Sequence, residues 1–73
     1  MNVIFYNKIE EKINEYIEKT GSSKIWIAKQ MGISKQALYS LMKSSNPYII
    51  HLIKLAVILN CKVEDLYYYD IVK

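Results

Sequence analysis

Ser23-Lys24-Ile25-Trp26-Ile27-Ala28-Lys29-Gln30-Met31-Gly32-Ile33-Ser34-Lys35-Gln36-Ala37-Leu38-Tyr39-Ser40-Leu41 reads as a short helix, a tight turn and a second helix. Ser22 or Ser23 caps the first helix, and Ile27, Ala28 and Met31 recur at helical spacing as its buried stripe. Gly32 supplies the positive φ that a tight turn needs, and small Ala28 lets the two helices cross closely. Ser34 caps the second helix, in which Ala37, Leu38, Leu41 and Met42 follow in helical phase. Its outward residues are Ser34, Lys35, Gln36, Tyr39, Ser40 and Lys43. All but the aromatic ring are small polar or cationic, and none is acidic.

Outward from this stretch the chain continues in short helices. Before it, Ile9, Ile13, Tyr16 and Ile17 mark a helix over about residues 7–20, with Asn7 as its cap, Glu10 completing a capping box and Gly21 as its stop. After it, the polar run Lys43-Ser44-Ser45-Asn46 ends the third helix. Asn46-Pro47 then gives a start signal, cap followed by proline at the first helical position. The helix that follows, 47–59, is apolar all round, which predicts a place in the middle of the domain. A last short helix is expected over about 63–69, with Lys62 a poor cap for it. Val3-Ile4-Phe5-Tyr6 could pass for a strand, but with no visible partner it predicts no sheet. The expected fold is all-α, a compact bundle of five short helices spanning 1–73 as one domain, with segments at 7–20, 23–31, 34–43, 47–59 and 63–69.

Composition narrows the function classes. At 73 residues the chain is one domain at most, yet 52% hydrophobic residues suffice for a thin core and exclude a disordered tail. Cys61 is the single cysteine, which excludes an intrachain disulfide and fits a reducing, cytoplasmic setting. No apolar run reaches the ~18 residues of a membrane span, and the first residues do not form a signal peptide. Net charge is +3, and its distribution says more: from Lys19 through Lys62 there are seven lysines and no acid, whereas all seven acids lie in the flanks. A basic centre between acidic flanks is the footprint of a polyanion binder, although lysines also simply solvate helix surfaces.

At this point the sequence resembles a known family, the Cro/CI-type (XRE-like) helix-turn-helix regulators of phages and bacteria. The family's series is met in register from Ser23 to Leu41 and continues through Pro47, Leu52, Leu55-Ala56, Leu59 and Leu66, about residues 7–69. The resemblance implies a lambda-repressor-like DNA-binding domain whose third helix enters the major groove of double-stranded DNA. Lys35, Gln36 and Ser40 would then face base edges, with Ser34 at the groove entrance and Tyr39 beside them. Gln pairs bidentately with adenine and Lys donates to guanine, so the chemistry agrees. Ser23 and Lys24 on one side, and Lys43, Ser44, Ser45 and Asn46 on the other, would hold phosphates. The sequence departs from the family pattern at Trp26, where a polar residue is commoner, and at Asn60, which replaces the usual Gly. Trp26 is expected to pack against the first helix, its N–H reaching a phosphate being the other reading.

Other reactive residues read plainly. One His and one Cys make no metal site. His51 is expected at the surface or half-buried, and Cys61 as a small core hydrophobe. The serines lack a histidine arrangement for nucleophilic catalysis, so neither enzyme activity nor a cofactor is expected. Tyr67, Tyr68, Tyr69, Ile71 and Val72 form an aromatic edge expected at a homodimer contact, the alternative being exposed tyrosines at a frayed end. A dimer would suit a regulator, since two copies read half-sites one helical turn, about 34 Å, apart. The competing function is a protein-binding module on the same fold: an antitoxin, an antirepressor or a phage adaptor.

Overall fold

The computed structural model covers residues 1–73 and contains strand β1 (Asn2–Asn7), helices α1 (Ile9–Thr20), α2 (Lys24–Met31), α3 (Lys35–Lys43) and α4 (Ile49–Leu59), one 3-10 turn (Val63–Leu66) and strand β2 (Tyr67–Val72). Four helices therefore stand where the sequence suggested five. The expected fifth is a single 3-10 turn that opens into β2. The absence of a sheet is corrected too: β1 and β2 pair antiparallel, from Asn2 opposite Val72 to Asn7 opposite Tyr67. The Val3–Tyr6 run finds its partner at the far end of the chain, a pairing that no local pattern announces.

Local chemistry explains the helix ends. Ser23 Oγ accepts from the Trp26 N–H at 3.1 Å and Ser34 Oγ from the Ala37 N–H at 3.0 Å, so both expected serine caps form. Gly21 and Gly32 take φ of +73° and +75°, and Asn60 follows at +54° as the left-handed stop of α4. Two starts differ from expectation. Asn7 lies in β1, and α1 begins at Ile9, though Asn7 Oδ1 still accepts the Ile9 N–H at 2.8 Å. The expected capping box does not close: Lys8 holds the cap position, so Glu10 no longer stands three residues into the helix, and its carboxylate lies 3.7 Å from Lys43 Nζ. Pro47 precedes α4 by two residues instead of opening it; Tyr48 holds the cap position in extended backbone without a side-chain bond. At the 3-10 turn the Lys62 N–H finds Asp65 Oδ2 at 3.0 Å, which supplies the cap that Lys62 itself lacks.

The core is one cluster: Ile9 and Ile13 from α1, Ile27, Ala28 and Met31 from α2, Leu38, Leu41 and Met42 from α3, Leu52, Leu55, Ala56 and Leu59 from α4, and Leu66. No polar or charged residue is buried in it, so its stability rests on apolar burial and packing. Tyr16, Ile17, Ile33, Cys61 and Tyr67 close its rim, so Cys61 packs against the core half-buried instead of inside it. Trp26 stacks on Tyr16 with ring centres 6.5 Å apart, which settles its packing against α1. The central placement of α4 is corrected. Only its Leu52–Leu55–Ala56–Leu59 side is covered, while Ile49, Ile53 and Val57 are exposed, because so thin a domain has no second layer to cover them.

Candidate nucleic-acid interface

The turn between α2 and α3 aims one face of α3 outward. Leu38, Leu41 and Met42 anchor the helix in the core, and the 3.6-residue period then turns Lys35, Gln36, Tyr39, Ser40 and Lys43 to solvent together. Ser34 is exposed at the N-terminus of this face, its hydroxyl engaged as the cap. Every residue expected to read bases thus shares one accessible surface, and α3 itself contributes no acid to it; Glu10 of α1 reaches only its far end, at Lys43.

Tyr39 organises the positive charge there. Lys24 Nζ, from the first residue of α2, lies 5.5 Å from the Tyr39 ring centre, and Lys35 Nζ lies 5.7 Å from it. Each ammonium meets the ring quadrupole at cation–π distance. Two lysines from different helices are therefore gathered around one aromatic ring. Tyr39 is thus their shared platform.

The expected phosphate residues fall into two groups. Ser23 and Lys24 sit at the N-terminus of α2, where free N–H groups and the helix dipole attract an anion. Lys43, Ser44, Ser45 and Asn46 follow α3 at its other end. Of these, Lys43 stands 3.7 Å from Glu10 Oε1, an exposed ion pair of small strength that an incoming phosphate would replace. Ser44 Oγ accepts the Asn46 N–H at 3.1 Å and shapes the loop, while Ser45 and Asn46 remain exposed.

Sequence reasoning missed the residue that fixes this second group. Asn7 Nδ2 donates to the carbonyls of Leu41 at 2.9 Å and Ser44 at 2.8 Å, pinning the C-terminal turn of α3 to the base of the β1–β2 ribbon. An asparagine just before a helix signals a cap; its second role spans 34 to 37 residues and leaves no local trace. Tyr48 was missed as well. It is exposed beside the same loop, with His51 edge-on at 5.5 Å. His51 is half-buried, as expected, and no cluster of metal-ligating side chains forms. No helix is long and apolar enough to cross a membrane.

Comparison with known proteins agrees with this geometry. No curated protein matches the sequence. Among solved structures, the N-terminal DNA-binding domain of SinR from Bacillus subtilis superposes with a TM-score of 0.67 at 30% identity, covering 81% of this chain and 88% of that one. Residues 12–70 match the family model of the Cro/C1-type helix-turn-helix DNA-binding domain. That match takes in the α2–turn–α3 unit and most of the core, and the chain belongs to the Cro/C1-type helix-turn-helix DNA-binding family.

Proposed function

We propose that this DNA-binding regulator is sequence-specific and acts as a cytoplasmic repressor, binding a pseudo-palindromic operator as a homodimer with α3 in the major groove. The observation that carries this reading is the exposed, acid-free face of α3. Gln36 matches the bidentate adenine edge, Lys35 donates to guanine O6 or N7, and Ser34, Tyr39 and Ser40 complete the groove contact. Ser23 and Lys24 hold one phosphate run through helix N–H groups and charge; Lys43, Ser44, Ser45 and Asn46 hold the other. The β1–β2 ribbon is the dimer-forming part of the molecule, with Tyr67, Tyr68, Tyr69, Ile71 and Val72 of its second strand flanking the contact. Repression follows from occupancy, by excluding polymerase. The reading requires no cofactor.

Selection from random duplexes at two salt concentrations tests this. The expected result is a two-fold symmetric site whose affinity falls steeply with salt. Lys35→Ala and Gln36→Ala should each lose about 10- to 100-fold on that site, corresponding to about 1–3 kcal/mol per base-reading pair. If no site is enriched and weak binding vanishes with salt, specific regulation is refuted. The protein-module reading then gains, and the exposed Ile49, Ile53 and Val57 side of α4 is the surface that favours it.

A further inference from the structure

The β1–β2 ribbon leaves two features unanswered by the helical domain. An isolated two-stranded ribbon is marginal in water, yet this one exposes Val3, Ile4, Tyr6, Tyr68, Tyr69, Ile71 and Val72. Its β1 strand also lies outside the residues shared with the DNA-binding family. We propose that β1 is a self-association edge, pairing antiparallel with β1 of a second copy to give a four-stranded sheet in the order β2-β1-β1-β2.

The hydrogen-bond alternation shows which backbone groups are free. The Lys8 N–H donates to the Leu66 carbonyl at 3.0 Å, in register with the ladder. The pairs bonded within the ribbon are therefore Tyr6 with Tyr68, Ile4 with Asp70 and Asn2 with Val72, since bonded and non-bonded pairs alternate. Val3 and Phe5 turn their N–H and C=O groups outward. On β2 the outward residues are Tyr69 and Ile71.

The two edges differ in protection. Natural edges are blunted by charge, proline or bulges. From Asn2 to Asn7 β1 has none of these, being Asn-Val-Ile-Phe-Tyr-Asn in an unbroken ladder. β2 carries Asp70 at its middle, which any strand laid along it would have to accommodate. Self-pairing also has a natural register. With the two-fold axis at Ile4, Val3 of each copy meets Phe5 of the other and satisfies both outward groups. Shifting the axis to Phe5 would set Asn2 of each copy opposite Lys8 of the other, beyond the end of β1 and directly before α1. Rotation about an axis normal to the sheet keeps faces matched, so the Val3–Phe5–Tyr67–Tyr69–Ile71 side becomes one continuous apolar surface. Because Asn7 ties β1 to the end of α3, this sheet would also set the spacing of the two reading helices. That last consequence alone rests on the DNA-binding reading.

Sedimentation of the full chain without DNA tests the edge independently of operator binding. Val3→Pro and Ile71→Pro form a matched pair: the two residues face each other across the ribbon, and both lose an N–H that points outward, sparing the internal ladder. The expected result is a dimeric wild type, a Val3→Pro variant at half that mass and a dimeric Ile71→Pro variant, all with the same helical circular dichroism. A wild type that is monomeric at every concentration overturns the proposal, as does dissociation by Ile71→Pro. A second measurement does not depend on proline. In a Cys61→Ala background, Ile4→Cys should oxidise to a covalent dimer, since facing residues of a non-bonded pair lie within disulfide reach. Failure of this cross-link in a dimeric protein excludes the Ile4-centred edge.

Discussion

Removing the Asn7 side chain should weaken the fold far more than its position at a strand end suggests. The amide makes three hydrogen bonds, to the Leu41 and Ser44 carbonyls and from the Ile9 N–H, all between 2.8 and 2.9 Å. Each is worth about 1 kcal/mol net. Partial exposure of the site lets water replace some of this, leaving a cost for Asn7→Ala of about 2–3 kcal/mol. In a domain of this size that lowers the melting temperature by roughly 10–20 °C. Asn7→Asp separates the contributions. Aspartate keeps the acceptor for Ile9 but donates to neither carbonyl and sets a negative charge beside both, so it should remain at least ~1 kcal/mol below wild type. Urea and thermal melts followed by circular dichroism read both variants. Should Asn7→Ala lose under about 1 kcal/mol, or Asn7→Asp equal the wild type, the pinning of α3 by this amide is refuted.

Other perturbations have definite signs. Gly32→Ala should cost about 1–2 kcal/mol in urea melts from backbone strain alone, because an added Cβ meets nothing within 4 Å at φ +75°; a neutral substitution would contradict this. Leu38→Ala, emptying a fully buried site at the centre of α3, should cost about 2–5 kcal/mol and leave little folded protein at physiological temperature. Burial, followed by the nearby Asp65 charge, raises the Cys61 thiol pKa. The folded chain thus holds this proton more tightly than the unfolded one. The associated stability is complete below the ordinary thiol value and is lost as pH rises through the folded value. The wild type should therefore lose stability relative to Cys61→Ala on that alkaline limb, and a gain would refute the assignment.

The α2–turn–α3 unit was legible because each of its determinants is local. Two serine caps, one glycine and a four-residue apolar spacing fix both helices and, through their phase, the exposed face of α3. What escaped the sequence is non-local. Val3–Tyr6 looked like a strand, and Tyr67–Val72 is built of residues that favour strands. Reading the tyrosines in helical phase hid the pairing that makes both runs β structure. In β2 they alternate sides instead of fanning around an axis. Tyr67 stacks 5.7 Å from Phe5 on one face, and Tyr68 lies 5.5 Å from Tyr6, its ring tilted, on the other. The apolar surplus of α4 misled differently. Periodicity cannot distinguish a helix buried on all sides from one whose second side no layer covers. At the site, helical phase placed the side chains proposed to read bases on one exposed face of α3, whereas the Asn7 bonds and the Lys43–Glu10 pair join segments that only the tertiary fold brings together.

The β1–β2 ladder joins residues from nearly opposite ends of the chain, Asn2 with Val72, and this shapes the order of folding. Contacts between α2 and α3 close loops of a few residues, but the ladder must close a loop of almost the whole chain before any of its bonds form. The helices are therefore expected to assemble first and the ribbon to zip last, from its base at Asn7 and Tyr67 toward the tips. Asn7 reaches the end of α3 only in that final step. The C-terminal turn of α3 should consequently be the last part of the surface to become rigid, and the first to loosen when the ribbon frays.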